Sequence, residues 1–314
     1  MQEDNIMEEA INNCINYSRK LIRQIDHAKG VEDGLEDIKT LVFAAMVSYY
    51  GIEHLDDVYL AFLKTDFVKC SSISGMLEEK YNFSKDLSLT ASSECPGTFY
   101  DATALKKINT DNYKIKRRIY VSDEESVDIL VRNIAFQINR VINSVHNPIL
   151  KKRGAFGSRM GISFEYFDSR RSESVALENA INRLQINELI SELQVFGLYH
   201  IEDEAVRKIC DQLFNSDFHF EGADLLEEII MPLYQDKFFN SVLVDKRLKG
   251  DLVGIKNSFD FNSVPGGYSK FLTACEKLSK GNLSEEDEQL YKEEAKMLVK
   301  SVLKRSDSSI SGGQ

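Results

Sequence analysis

Residues able to bind a catalytic metal are scattered singly along this chain. None of its five histidines has a partner at the spacing of a His-Glu-x-x-His motif: His27, His54, His146, His200 and His219. That spacing points two imidazoles from one helical face at a single zinc ion, and the intervening Glu takes a proton from zinc-bound water. No two of the five cysteines form a Cys-x-x-Cys pair: Cys14, Cys70, Cys95, Cys210 and Cys275. We therefore expect free thiols in a reducing compartment, no metal and no other cofactor.

Basic residues collect in two short segments that flank predicted strands. If the strands are neighbours, these side chains form one basic patch: Lys116, Arg117, Arg118, Lys151, Lys152 and Arg153. Aromatic residues close to them could stack on bases, which would indicate a nucleic-acid contact. Charged side chains are mostly solvated and can pair with acids of the same protein, and the formal net charge is −11. We favour this second interpretation and do not expect a nucleic-acid partner.

Apolar residues recur mainly at three- and four-residue spacing, which predicts helices. Two N-terminal helices should end at Gly30 and Gly51, because glycine commonly terminates a helix. The segment 81–97, rich in Ser and Thr, is predicted to be a connector. The β-prone runs 98–105 and 116–121 should pair in a small sheet.

The middle of the chain has the clearest helix signal. Ser122 and Glu125 have the spacing of a capping box, an apolar stripe follows, and Asn147-Pro148 should end the helix. Alternation over 159–168 predicts a strand, in a hairpin that turns near Gly154 or Gly157. A second long helix is predicted over 173–196.

The capped helix contains the segment Phe136-Gln137-Ile138-Asn139-Arg140, which is followed by Val141-Ile142-Asn143-Ser144. This segment resembles the active-site helix of zincins, the zinc metallopeptidase fold, in a Firmicute family of unknown function, whose members have His-Glu-x-x-His and a similar Ile-Asn-Ser there. Arg159-Met160-Gly161 is similar to their Arg-x-Gly strand. The segment 176–182 is similar to their second helix, where a Glu at the position of Asn179 would be the third ligand.

The resemblance implies a zinc site that has been lost. Phe136 has no lone pair to donate, Gln137 cannot act as a general base, and the permanent charge of Arg140 repels a divalent cation. Asn179 is a weak neutral donor. In the vacated cleft, Arg140 would need a carboxylate, and Glu178 on the second helix is our first choice.

The predicted fold class is α+β, mostly α, with a zincin-like core of a small sheet and two long helices. We expect an N-terminal helical region (1–96), the core (97–200), a C-terminal helical region (201–305) and a disordered tail (306–314). No apolar run is long enough to span a bilayer, so no membrane contact is expected. The acidic N-terminus argues against a secretory signal, so we expect a cytoplasmic protein.

These features predict a non-catalytic, zincin-like binding or regulatory protein that acts through contacts with a protein partner. Neither the partner nor the oligomeric state can be read from the residues. Two alternatives stay open: an enzyme with an unidentified non-zinc site, and a nucleic-acid contact through the basic strands.

Overall fold

Helical periodicity dominates the chain, and the computed structural model is α+β and mostly α, as predicted. It describes the following residues: 2–106, 113–144, 150–152, 155–166, 172–215, 225–281 and 283–310. The chain divides into unit 1, of residues 1–145 and 186–219, and unit 2, of residues 146–185 and 220–314. Helix α7 (Val175–Phe196) contributes to both units, and so does the predicted core, 97–200.

Unit 1 consists of helices and one small sheet. Its elements before α7 are α1 (Gln2–Lys29), α2 (Glu36–Tyr50), a 3-10 turn (Ile52–His54), α3 (Leu55–Leu63), β1 (Thr65–Cys70), α4 (Ile73–Tyr81), α5 (Lys85–Glu94), β2 (Thr98–Lys106), β3 (Tyr113–Ser122) and α6 (Val127–Ile142), and α8 (Glu204–Phe214) follows α7. Gly30 and Gly51 follow α1 and α2 with positive φ, as expected. The predicted connector at 81–97 is wrong, because it contains α5. Ser84 caps that helix, whose exposed Leu87 and Leu89 give little helical pattern.

The sheet of unit 1 has the strand order β1-β3-β2. The antiparallel pairing of β2 with β3 confirms the predicted pair of strands. The third strand, β1, pairs parallel with β3 and lies in a region predicted to be wholly helical. Its six residues include Asp66 and Lys69, which interrupt the apolar pattern that would have identified a strand.

Helix α6 begins later than the sequence predicts. Its N-cap is Ser126, so the predicted capping box at Ser122 is wrong. Ser122 is instead the last residue of β3, where its backbone N–H donates to Gly97 O (2.8 Å) and its hydroxyl donates to Ser71 O (3.0 Å). Ser122 therefore belongs to the paired strand, and Ser126 is the N-cap of α6.

Helix α6 is buried almost all round. It packs against α2, α3 and α8 and against β2 and β3. Every residue from 130 to 142 is buried except Arg140. The predicted core positions Ile134, Ile138, Val141 and Ile142 are confirmed, each at most 1% exposed.

Unit 2 combines an antiparallel sheet with a group of helices. Before α7 it has β4 (Leu150–Lys152), β5 (Ala155–Met160), β6 (Ser163–Tyr166) and β7 (Ser172–Glu173), and later α9 (Leu225–Gln235), α10 (Lys237–Leu248), α11 (Leu252–Asn262), α12 (Gly267–Leu278) and α13 (Glu285–Ile310). The strand order is β4-β5-β6-β7. The single strand predicted over 159–168 is divided by a turn at Gly161, between β5 and β6. Residues 306–310, predicted to be disordered, continue α13, and 311–314 lie outside the described residues.

Replacing Ile138 with Asp should place an unpaired carboxylate at a fully buried position of α6. We expect the free energy of unfolding to fall by about 3 to 5 kcal/mol, measured by denaturant titration. The matched control is Ile52→Asp, because Ile52 is 69% exposed. Equal stability of the two variants would show that Ile138 is not in the core.

Candidate functional site

The α6 positions that the zincin resemblance assigns to a zinc-binding motif carry no metal ligands. Phe136 and Gln137 are buried, with exposed fractions of 4% and 2%. The Arg140 guanidinium lies 5.2 Å from the ring centroid of Tyr100, and its Nη1 donates to Gln137 Oε1 (3.3 Å). An aromatic ring, an amide and a cation thus stand where two histidines and a general base would be needed.

Hydrogen bonds inside unit 1 satisfy other polar side chains of α6. Asn139 bonds to the hydroxyl of Tyr50, at the end of α2. Asn143 Nδ2 lies 3.5 Å from the same hydroxyl, and Asn133 Nδ2 donates to Pro96 O (2.7 Å). These bonds fix α6 to α2 and to the segment that leads into β2. They have a structural role, because the three asparagine side chains are buried.

The carboxylate of Glu178 is the polar centre of unit 2. Glu178 and Arg247 are completely buried and form an ion pair, in which Arg247 Nε also lies 3.3 Å from Glu178 Oε2. Arg247 Nη1 donates to Gln185 Oε1 (2.8 Å), and the backbone N–H of Ile162 donates to Glu178 Oε2 (2.8 Å). Arg247 was missed by sequence reasoning, because it is 69 residues from Glu178 and no spacing links the two.

Gly161, the glycine of the Arg-x-Gly segment, lies at a position where a side chain would not fit. Its φ of +57° is one that L side chains rarely adopt, and a Cβ there would lie 2.2 Å from both carboxylate oxygens of Glu178. Glycine therefore allows the β5–β6 turn to approach the Glu178–Arg247 pair closely. Arg159, in the same segment, lies 6.0 Å from the ring centroid of Phe164.

The sequence-derived pairing of Arg140 with Glu178 joins residues of the two units and stays a prediction. The partner that the structure gives Glu178 is Arg247. Asn179, the position of the third ligand, is half-buried, and its Oδ1 accepts no hydrogen bond from the described part of the chain.

The basic residues of β3 are engaged by groups of unit 1. Arg117 is buried and its Nη2 donates to Ser144 O (3.3 Å). Arg118 pairs with Asp101 at 3.1 Å, and Lys116 lies 3.6 Å from Asp66. These contacts agree with pairing to the protein's own acids.

The second half of the predicted basic patch belongs to unit 2. Lys151 and Lys152 lie on β4, where only their backbone is described, and Arg153 is outside the described residues. A patch that joins the two segments therefore stays a prediction.

The described residues of unit 2 line two cavities near α7 and α12. The smaller cavity has a volume of about 20 Å³. Apolar side chains of α7 and of α9 to α12 line it. The buried Tyr268 lines it, and its hydroxyl has no hydrogen-bond partner among the described residues. Burial, and the nearby charge of Glu178, raise the pKa of this phenol. The larger cavity, about 150 Å³, lies between the start of α7 and the end of α12.

The chain matches no family model, no curated protein and no solved structure. Within the described ranges, no three His, Cys, Asp or Glu side chains come together as a metal site would require. No helix of the described chain has the length and hydropathy to cross a membrane. The residues of this chain are therefore the evidence for the zincin resemblance, and no matched protein adds to it.

A double-mutant cycle should detect strong coupling between Glu178 and Arg247. We expect Arg247→Met alone to lower the free energy of unfolding by about 3 to 5 kcal/mol, because it leaves a buried carboxylate unpaired. Adding Glu178→Gln should recover part of that loss. The parallel cycle with Arg140→Met tests the sequence-derived pairing. Additive effects at Glu178 and Arg247 would contradict the ion pair.

Replacing Tyr268 with Phe removes a buried hydroxyl that has no partner in the described structure. We expect thermal and denaturant unfolding to show equal stability or a gain of about 1 kcal/mol, because burying an unsatisfied polar group is unfavourable. A loss of more than about 1 kcal/mol would show that the hydroxyl is hydrogen-bonded in solution.

Proposed function

We propose that this protein is a non-catalytic, zincin-like binding or regulatory protein that acts through contacts with another protein. The observation that carries the proposal is the burial of α6. Phe136 and Gln137 are at most 4% exposed, and neither can bind zinc or activate water. A catalytic zinc site needs three protein ligands and an open position that water or substrate can reach. The helix provides neither at these positions.

A role in binding is supported by large apolar side chains at the surface. Leu198 and Val253 are 65% and 67% exposed. These residues belong to different units, and a partner that covers either one would remove apolar surface from water, which is favourable. The engagement of Arg117 and Arg118 by Ser144 O and Asp101 weighs against a nucleic-acid contact through β3.

Metal analysis and a peptidase assay test the loss of catalysis. Protein purified without a histidine tag should contain far less than one zinc per chain and should not cleave casein or a peptide library, because the ligand positions hold Phe136, Arg140 and Asn179. About one zinc per chain, removed by a chelator together with activity, would contradict the proposal.

A variant that carries the two histidines and two glutamates of a zincin site tests the zincin resemblance separately. It combines Phe136→His, Gln137→Glu and Arg140→His with Asn179→Glu. If the four positions correspond to a zincin site, the folded variant should bind about one zinc per chain while the parent does not. A folded variant without zinc would contradict the zincin resemblance and leave the non-catalytic proposal standing.

A further inference from the structure

Arg117 of β3 is a buried cation without an acidic partner in the described part of the chain. It is 6% exposed, and its Nη2 donates to Ser144 O at 3.3 Å, which is long for a hydrogen bond from a charged group. Its Nε is buried and has no hydrogen-bond partner among the described residues. Arg247, by contrast, is buried with Glu178 and Gln185 on its guanidinium. Since a buried guanidinium is unfavourable without a partner, an anion at Arg117 would stabilise it.

The carboxyl end of α6 accounts for part of this arrangement. Ser144 lies two residues after the last residue of α6, so its carbonyl oxygen is at the end of the helix where the dipole favours a cation. That contact uses one of the five N–H groups that a guanidinium carries. It leaves Nε of Arg117 without a partner in the described chain, so capping of α6 is not a complete explanation for the burial of this charge.

A buried hydroxyl beside Arg117 is also unsatisfied. Thr65 of β1 stands opposite Arg117 in the parallel β1–β3 register, so the two side chains share one face of the sheet. Thr65 is fully buried, and its Oγ1 has no hydrogen-bond partner among the described residues. A guanidinium donates only, whereas a hydroxyl donates or accepts, so both groups can donate to the oxygens of one anion.

Lysines add positive charge at this end of the sheet. Lys64 directly precedes β1 and is exposed. Burial lowers the pKa of Lys64 and the charge of Arg117 lowers it further, so the two cations are close to each other. Lys29 Nζ donates to Phe62 O (2.8 Å) and to Thr65 O, on either side of Lys64 in the chain. Three cations therefore lie around the junction of α3 and β1, in a protein whose formal net charge is −11.

We propose that Arg117, Lys64 and Thr65 form a binding site for a single phosphate group. Two cations match the charge of about −1.5 to −2 on a phosphate monoester better than they match the single charge of a carboxylate. The planar guanidinium presents parallel N–H groups that fit two phosphate oxygens, and Lys64 adds a second cation from the exposed side. Asp66, the next residue of β1, lies on the opposite face of the strand, 3.6 Å from Lys116.

The site takes one phosphate group and not a nucleic acid. Arg117 is too buried to follow a polynucleotide backbone, and the net charge of −11 repels a long polyanion. The site includes none of the zincin-like positions of α6. The proposal therefore goes beyond the proposed function and does not depend on the absence of zinc.

Phosphate-dependent stability of the full-length protein tests the proposal. Inorganic phosphate and phosphoserine are titrated in separate arms at constant ionic strength, with sodium chloride and sodium acetate as comparison salts. A ligand that binds the folded state raises the midpoint of thermal unfolding, so we expect both phosphates to raise it and the comparison salts to leave it unchanged. Isothermal titration calorimetry should show saturable binding of phosphate that Arg117→Met or Lys64→Met weakens at least about tenfold. Tighter binding of phosphoserine than of inorganic phosphate would indicate that the phosphate group belongs to a larger molecule.

Arg118→Met and Lys69→Met are the matched controls. Arg118 is the next residue of β3, but it pairs with Asp101 at 3.1 Å. Lys69 lies near the other end of β1 and pairs with Asp123 at 3.1 Å. Each control removes one cation from the same sheet, and each should bind phosphate as the parent does. Circular dichroism verifies that every variant is folded.

The stability of Arg117→Met distinguishes a phosphate site from a helix cap. If Arg117 binds phosphate, the difference in unfolding midpoint between the parent and this variant should widen as phosphate is added. A difference that stays fixed at every phosphate concentration would overturn the proposal, because Arg117 would then act only on α6. Equal effects of phosphate and acetate, or equal weakening of phosphate binding by the two control variants, would also overturn it. Lys64→Met, at an exposed position, provides the same comparison if Arg117→Met does not fold.

Discussion

Burial of α6 on nearly all sides is the constraint on which the rest of unit 1 depends. A helix in that position cannot leave its polar side chains unpaired, because each unsatisfied buried group is costly. Asn133, Asn139 and Asn143 accordingly bond to groups of unit 1. The same burial leaves Phe136 and Gln137 as packing residues. These two side chains therefore serve the packing of α6, and neither is a zinc ligand.

Each unit also contains a buried cation with fixed acidic partners. In unit 1, Lys39 is 1% exposed, and its Nζ lies 2.7 Å from both Asp26 and Asp33. In unit 2, Arg247 is held by Glu178. Buried ion pairs add little net stability, but removing one partner is strongly destabilising. Such pairs explain buried charges in a chain without implying catalysis, and the pair of Glu178 with Arg247 is an example.

Much of the fold was predictable from local pattern, whereas the polar contacts were not. The apolar stripe of α6 and the pairing of β2 with β3 follow from periodicity within a short window. The prediction that Ser122 caps α6 is wrong because Ser122 is part of β3 and bonds to Gly97 O and Ser71 O. A rule that considers only neighbouring residues cannot include such contacts with a distant segment. Arg247 lies far from Glu178 in sequence, so its role emerges only when the fold brings them together.

Amide hydrogen exchange tests the central claim, that α6 is a closed core helix without an accessible site, most directly. The account predicts that amides of residues 130–142 exchange only through global unfolding of unit 1, as the most stable segments of a domain do. Amides of α5, where Ser88 alone is buried among the residues whose exposure is described, should exchange much faster. Exchange of α6 through local opening, at rates similar to those of α5, would contradict the account.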